Sequence, residues 1–271
     1  MENFKEKLHS IITGEVKLVS EEFLDEMIEN IGSIDPVLRD KLIYRAFSKL
    51  IFNNSLNNFQ LEYILKKLLD NRLVMLNIEK PTTDSVFTRS FTVLVFAAVL
   101  EYDATNHIVD SNIVRNVIDA THNYMEKETD LRGYVEHKGW AHATAHGADL
   151  LDSIIKHPVA NEEDALKVLQ HVSRFLTIAN GYQDDEEERL ARAFVTLTKH
   201  HLNEDSINEW LLQLEQSLSE RYTNANGELQ PYYAKLAFKN FLKSSYFLLV
   251  KEDIQPFLQN KIQQLTIQQI Y

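Results

Sequence analysis

Seven glycines and five prolines in 271 residues is about a third of ordinary usage. That scarcity constrains the fold more than any other feature, because hairpins, bulges and tight turns draw on these two residues. A chain so poor in them is expected to fold as long helices with short connections. Apolar residues recur with helical spacing almost end to end, and no period-two run bounded by turn residues argues for a sheet. The pattern predicts about a dozen helices, near 3–12, 20–31, 36–52, 58–70, 84–102, 107–127, 139–156, 162–179, 185–202, 205–220, 230–250 and 253–268. Asp35-Pro36 reads as a helix start, His157-Pro158 and Asn180-Gly181 as stops. The least regular segments are expected at 128–138 and 221–230.

Short links between such helices imply antiparallel neighbours. The expectation is therefore an all-α single domain over 1–271, either a HEAT-like α-α superhelix or an irregular bundle. Neither polar connection has the length or composition of a domain linker.

Composition narrows the chemistry. The absence of cysteine removes disulfides, thiolate nucleophiles and Cys-ligated metal sites. A net charge of −12 repels phosphate backbones and anionic lipid headgroups, so neither nucleic acid nor a membrane is expected as partner. The N-terminus lacks a signal-peptide pattern, and the longest apolar run, 91–100, falls short of the roughly 20 residues that span a bilayer. The sequence thus reads as cytoplasmic.

The least generic stretch runs from Asp130 to Asp152. On a helix over 139–156, His142, His146, Asp149 and Ser153 share a sector of about 60°. The opposite arc holds Trp140, Ala143, Gly147, Leu150, Leu151, Ile154 and Ile155, so a solvated polar face is the plainer explanation. Against it, Ala141, Ala145, Gly147 and Ala148 allow close backbone approach, which suits a packed helix lining a groove. Two imidazoles and a carboxylate are ligands that zinc, iron or nickel accepts, making His142, His146 and Asp149 the candidates for a divalent metal. The zincin motif is absent, because Ala143 stands where its general base belongs. His142 is the candidate acid or base, oriented by Asp149 or Asp152.

Arg89 stands in a helix, 84–102, that is apolar on every side. A buried guanidinium must meet an acid, either Asp84 or one from a neighbouring helix; alternatively it is the anion-holding arm of the groove. The run Asp184-Asp185-Glu186-Glu187-Glu188 fits a helix start.

Taken together, Asp84 with Phe87-Thr88-Arg89-Ser90-Phe91, Arg132-Gly133-Tyr134, Gly139-Trp140-Ala141-His142-Ala143 and Ala145-His146-Gly147-Ala148-Asp149-Leu150 resemble the bacterial domain-of-unknown-function family 2785. The resemblance covers most of the chain and is strongest over 84–155. It implies no activity. It implies only that Arg89, Arg132, Trp140, His142, His146 and Asp149 belong to the motif-bearing segments.

The functional expectation is a binding protein holding a small anionic ligand or a peptide in a groove lined by Arg89, Arg132, Trp140, His142, His146 and Asp149. A metal-dependent or His-based hydrolase and an interaction scaffold are the alternatives. Whether the chain is an enzyme is left open by the sequence.

Overall fold

The computed structural model describes residues 2–70, 72–80 and 82–269. Helix accounts for 73% of the chain, as the scarcity of glycine and proline predicts. The chain divides into two compact units, 1–159 and 160–271.

The first unit contains α1 (Glu2–Thr13), α2 (Glu21–Glu29), a π-helical segment (Val37–Tyr44) running into α3 (Arg45–Phe52), α4 (Asn58–Asp70), a 3-10 turn (Leu73–Met75), α5 (Ser85–Asn106), α6 (Ser111–Lys127), a two-stranded ribbon of β1 (Tyr134–Val135) and β2 (Gly139–Trp140), and α7 (Ala143–Lys156). Its helices pack in two rows. α1 touches α3, α3 touches α5 and α5 lies along α7, while α2 touches α4 and α4 touches α6. Each helix therefore packs chiefly on the one two places along the chain, which explains why most faces are amphipathic and only α5 is apolar all round.

α5 is the axis of this unit. Phe87, Val93, Val95, Phe96, Val99 and Leu100 are fully buried. The helix is long and apolar enough to cross a membrane, yet 78% of its most apolar window is buried by its neighbours. Its C-terminal end is fixed by Asp103, whose Oδ1 accepts from Ile108 N and Val109 N and whose Oδ2 lies 3.1 Å from His157 Nε2. His157 Nδ1 accepts in turn from Val159 N, which leaves Nε2 to face Asp103.

The second unit holds α8 (Glu162–Ile178), α9 (Glu186–His200), α10 (Glu204–Thr223), α11 (Gln230–Glu252) and α12 (Pro256–Gln268). α11 is central and packs on all four others. Local chemistry sets the starts: Asn161 and Asp164 form a reciprocal capping box on α8, and Asn203 caps α10. The three glutamates opening α9 sit beside the positive end of its dipole, as the sequence suggests.

Two departures from the predicted helices matter. The helix expected over 36–52 begins as a π-helix, with Asp35 Oδ1 accepting from Val37 N at its start. The helix expected from 139 begins only at Ala143, because Gly139 (φ 76°) and His142 (φ 47°) both take left-handed backbone that no right-handed helix contains.

Candidate functional site

The ribbon is built by its turn. Lys138 N donates to Val135 O, and His137 (φ 62°) and Gly139 supply the left-handed backbone the reversal needs. Tyr134 pairs with Trp140 and Val135 with Gly139. The pairing extends beyond the strands: Ala141 N donates to Gly133 O at 2.9 Å and His142 N to Arg132 O at 3.0 Å. The ribbon thereby delivers His142 directly to the start of α7, where its carbonyl accepts from His146 N.

Glycine at 139 is required twice. Its φ disfavours any side chain, and a Cβ there would stand 2.7 Å from Pro36 Cβ and 3.1 Å from Arg39 Nη2. That contact identifies what anchors the ribbon. The Arg39 side chain is fully buried, with Nη1 donating to Ser33 O (2.7 Å) and Nη2 to Lys138 O (2.7 Å) and Trp140 O (3.3 Å). Its guanidinium lies 4.2 Å from the Phe87 ring centre and 4.7 Å from that of Phe91. Nε is 2.8 Å from Asp40 Oδ1, off the line of a hydrogen bond. Burial pulls the Arg39 guanidinium down and pushes the Asp40 carboxyl up, and each charge opposes the shift of the other.

On this platform six rings form a chain. Tyr134 meets Trp140 edge-on at 5.1 Å, and Trp140 stacks on His142 at 4.4 Å with planes 20° apart. His142 meets His146 edge-on at 5.6 Å, His146 meets Phe91 at 5.2 Å, and Phe91 meets Tyr44 at 6.1 Å. The outer end is open, with Tyr134 58% and Trp140 39% exposed, while His146 is buried against α5. Below, Val86, Phe87, Ala141 and Ala143 close the apolar layer together with Val135.

The structure sorts the sequence-predicted residues into two groups. Trp140, His142 and His146 come together in the ring chain, and Asp149 follows one turn after His146, half-buried, its carbonyl accepting from Ser153 Oγ. The geometry is not that of one helix face, since Trp140 and His142 precede α7. Nor is α7 a solvated helix: Thr144, His146 and Ser153 on its polar side are buried. The small residues explain this, for a Cβ on Gly147 would stand 2.5 Å from Met125 Sδ.

Arg89 and Arg132 form the second group, and both are engaged by the protein. Arg89 Nε and Nη2 grip Glu128 at 2.7 and 2.9 Å while Nη1 donates to Leu76 O; the pair is about 1% exposed on either side. The acid that Arg89 demands is thus Glu128, at the end of α6; Asp84 pairs instead with Lys138. Glu128 Oε1 also accepts from Thr129 N and Asp130 N. Arg132 grips Asp130 through Nε and Nη2 and donates to Thr83 O, and Asp130 holds the Arg132 guanidinium above its ordinary range. Burial first, then the Glu128 carboxylate, hold the Tyr124 phenol well up. These two ion pairs, with the bonds to Leu76 O and Thr83 O, fasten the connection 128–132 beside the start of α5, and both guanidinium groups are engaged by carboxylates of the chain itself.

Two residues that build the site, Arg39 and Glu128, are not among those the sequence motifs single out. Arg39 nonetheless carries a signal in the sequence. At helical spacing it falls in line with Ile43, Ala46, Phe47 and Leu50, all buried, so a cation stands on a core face.

Searches of curated proteins and of solved structures returned no match to this chain. A family profile does match, over residues 74–247, which takes in α5, the Arg89–Glu128 and Arg132–Asp130 pairs, the ribbon and the whole of α7. Since the match spans more than half of the chain and contains the segments that position the ring chain, this protein belongs to the family described as "Protein of unknown function (DUF2785)".

Proposed function

We propose that the chain is a binding protein whose ligand, a peptide or a small anion-bearing molecule, lies against Tyr134, Trp140 and His142. The observation that carries this reading is the ring chain itself. A Trp and a Tyr stand exposed on a ribbon that four buried side chains, Arg39, Arg89, Glu128 and Asp130, hold in place. Exposed aromatic rings that cannot relax cost little further entropy on binding and supply large contact area. With Arg89 and Arg132 occupied by carboxylates, stacking and the imidazole of His142 carry recognition, and this favours a peptide over a bare anion.

Trp140 reports on its own site. In a Trp210→Phe background the chain keeps one tryptophan, and its emission is followed while short mixed-sequence peptides and, separately, inorganic phosphate are titrated. Saturable quenching by peptide that disappears in Trp140→Leu supports the reading. A flat response to both probes removes it.

The second reading is a divalent metal held by His142 with His146 or Asp149, favoured by the two imidazole ring centres lying 5.6 Å apart. Metal analysis of protein purified without chelator or nickel resin decides it. His142→Ala is the informative variant, because His146 packs on Phe91 and its removal would open a cavity.

A further inference from the structure

Four lysines, at 235, 239, 243 and 251, stand in α11 with no acid before its last residue, Glu252, in a chain where acids outnumber Lys and Arg by 40 to 28. Lys243, Phe247 and Lys251 follow at intervals of four, so they share one side of the helix, with the two ammonium groups about 12 Å apart along its axis. Phe247 is 67% exposed and Val250, beside it, 45%. Between this side and Glu188 of α9 lies a cleft of about 300 Å³, lined also by Ser244 and Leu248. Glu188 is held by Arg192 at 3.4 Å, whereas neither Lys243 nor Lys251 has an ion pair among the described residues.

We propose that this side of α11 docks an acidic, amphipathic helix of a partner protein. One bulky apolar side chain of that helix enters the cleft beside Phe247, and carboxylates two turns apart on it meet Lys243 and Lys251. Charge complementarity selects this occupant. Two uncompensated cations flank the exposed ring, while the acidic remainder of the chain repels acidic surfaces elsewhere and so confines docking to this side. The concave cleft holds one side chain, a shape that suits a discrete anchor; a lipid surface calls for a broad protruding apolar face.

The test uses the full chain and a fluorescein-labelled synthetic helix of Glu and Leu with a single Trp, followed by anisotropy. Its counterpart with Lys in place of Glu, phosphatidylserine vesicles and sedimentation velocity of the chain alone serve as controls. All substituted positions are exposed, and circular dichroism verifies the fold. The acidic helix is expected to bind, to weaken at least tenfold in Phe247→Ser and in Lys243→Glu/Lys251→Glu, and to weaken as salt rises. The charge-reversed variant should bind the Lys helix instead. Failure of the acidic helix to bind, equal binding of the Lys helix by the unaltered chain, vesicle binding lost in the same variants, or self-association abolished by Phe247→Ser would each overturn the proposal.

Discussion

Replacing Arg39 tests whether the ribbon is held from beneath. Arg39→Met keeps much of the stem volume but removes every donor. The carbonyls of Ser33, Lys138 and Trp140 lose their partner, Asp40 loses its counter-charge, and Phe87 and Phe91 lose the cation over their faces. Breaking a buried charge pair from one side costs about 3–5 kcal/mol. Asp40 retains 23% exposure, so water relieves part of its loss and the lower end of that range applies. At about 2–4 °C per kcal/mol for a chain of this size, the expected fall in melting temperature is roughly 6–12 °C. Arg39→Lys keeps the charge but cannot fork between carbonyls, and should lie between, at about 1–3 kcal/mol. The distinguishing readout is local. In a Trp210→Phe background, acrylamide should quench Trp140 more strongly in both variants, because two of the lost bonds hold the ribbon's own carbonyls. An Arg39→Met protein within about 1 kcal/mol of the unaltered chain, with Trp140 quenching unchanged, refutes the anchoring role.

Gly139→Ala should destabilise by about 1–2 kcal/mol from its positive φ alone, and further through the contact with Pro36, as thermal unfolding will read; an unchanged melting temperature would contradict the ribbon geometry. Glu128→Gln leaves the Arg89 guanidinium buried without a counter-ion and should cost about 3–5 kcal/mol in denaturant unfolding, only part of it recovered in Arg89→Met/Glu128→Leu, because Thr129 N, Asp130 N and Leu76 O then lose their partners. Burial raises the Glu187 carboxyl above its usual value, so its ionisation in the fold is unfavourable: stability present below the unfolded value near 4.5 is lost as pH rises through the folded value. Glu187→Gln should therefore melt higher than the unaltered chain at pH 7, with the difference closing toward pH 4. One domain over 1–271 predicts that Trp140 and Trp210, one in each unit, report the same unfolding midpoint in single-tryptophan variants.

Helices were legible because their determinants are local. Apolar spacing, the start at Asp35-Pro36 and the stop at His157-Pro158 each act within a few residues, and the structure places helix boundaries beside them. The ribbon was not legible for the complementary reason. Trp140-Ala141-His142-Ala143 carries good helix formers, and only tertiary contact makes it otherwise: Gly139 must pass close to Pro36 and Arg39, about a hundred positions earlier in the chain. Two strands of two residues offer no periodicity to read.

The same distinction separates the candidate residues. A motif written along the sequence cannot show whether an arginine faces a ligand or a carboxylate, since the partner is specified by packing. Arg132 finds Asp130 two residues away, a pairing open to inspection, but Arg89 finds Glu128 only because α6 ends against the start of α5. Both guanidinium groups are held by carboxylates of the chain, whereas the rings of Tyr134 and Trp140 are exposed. His142 illustrates why a left-handed residue is worth its conformational cost here: with φ at 47° it ends the ribbon, starts α7 through its carbonyl, and still lays its imidazole flat on Trp140. A residue on the helix proper could keep the spacing to His146 but not that stack. The proximity of the two imidazoles therefore arises from a ribbon meeting a helix, and at its outer end the ring chain reaches solvent through Tyr134 and Trp140.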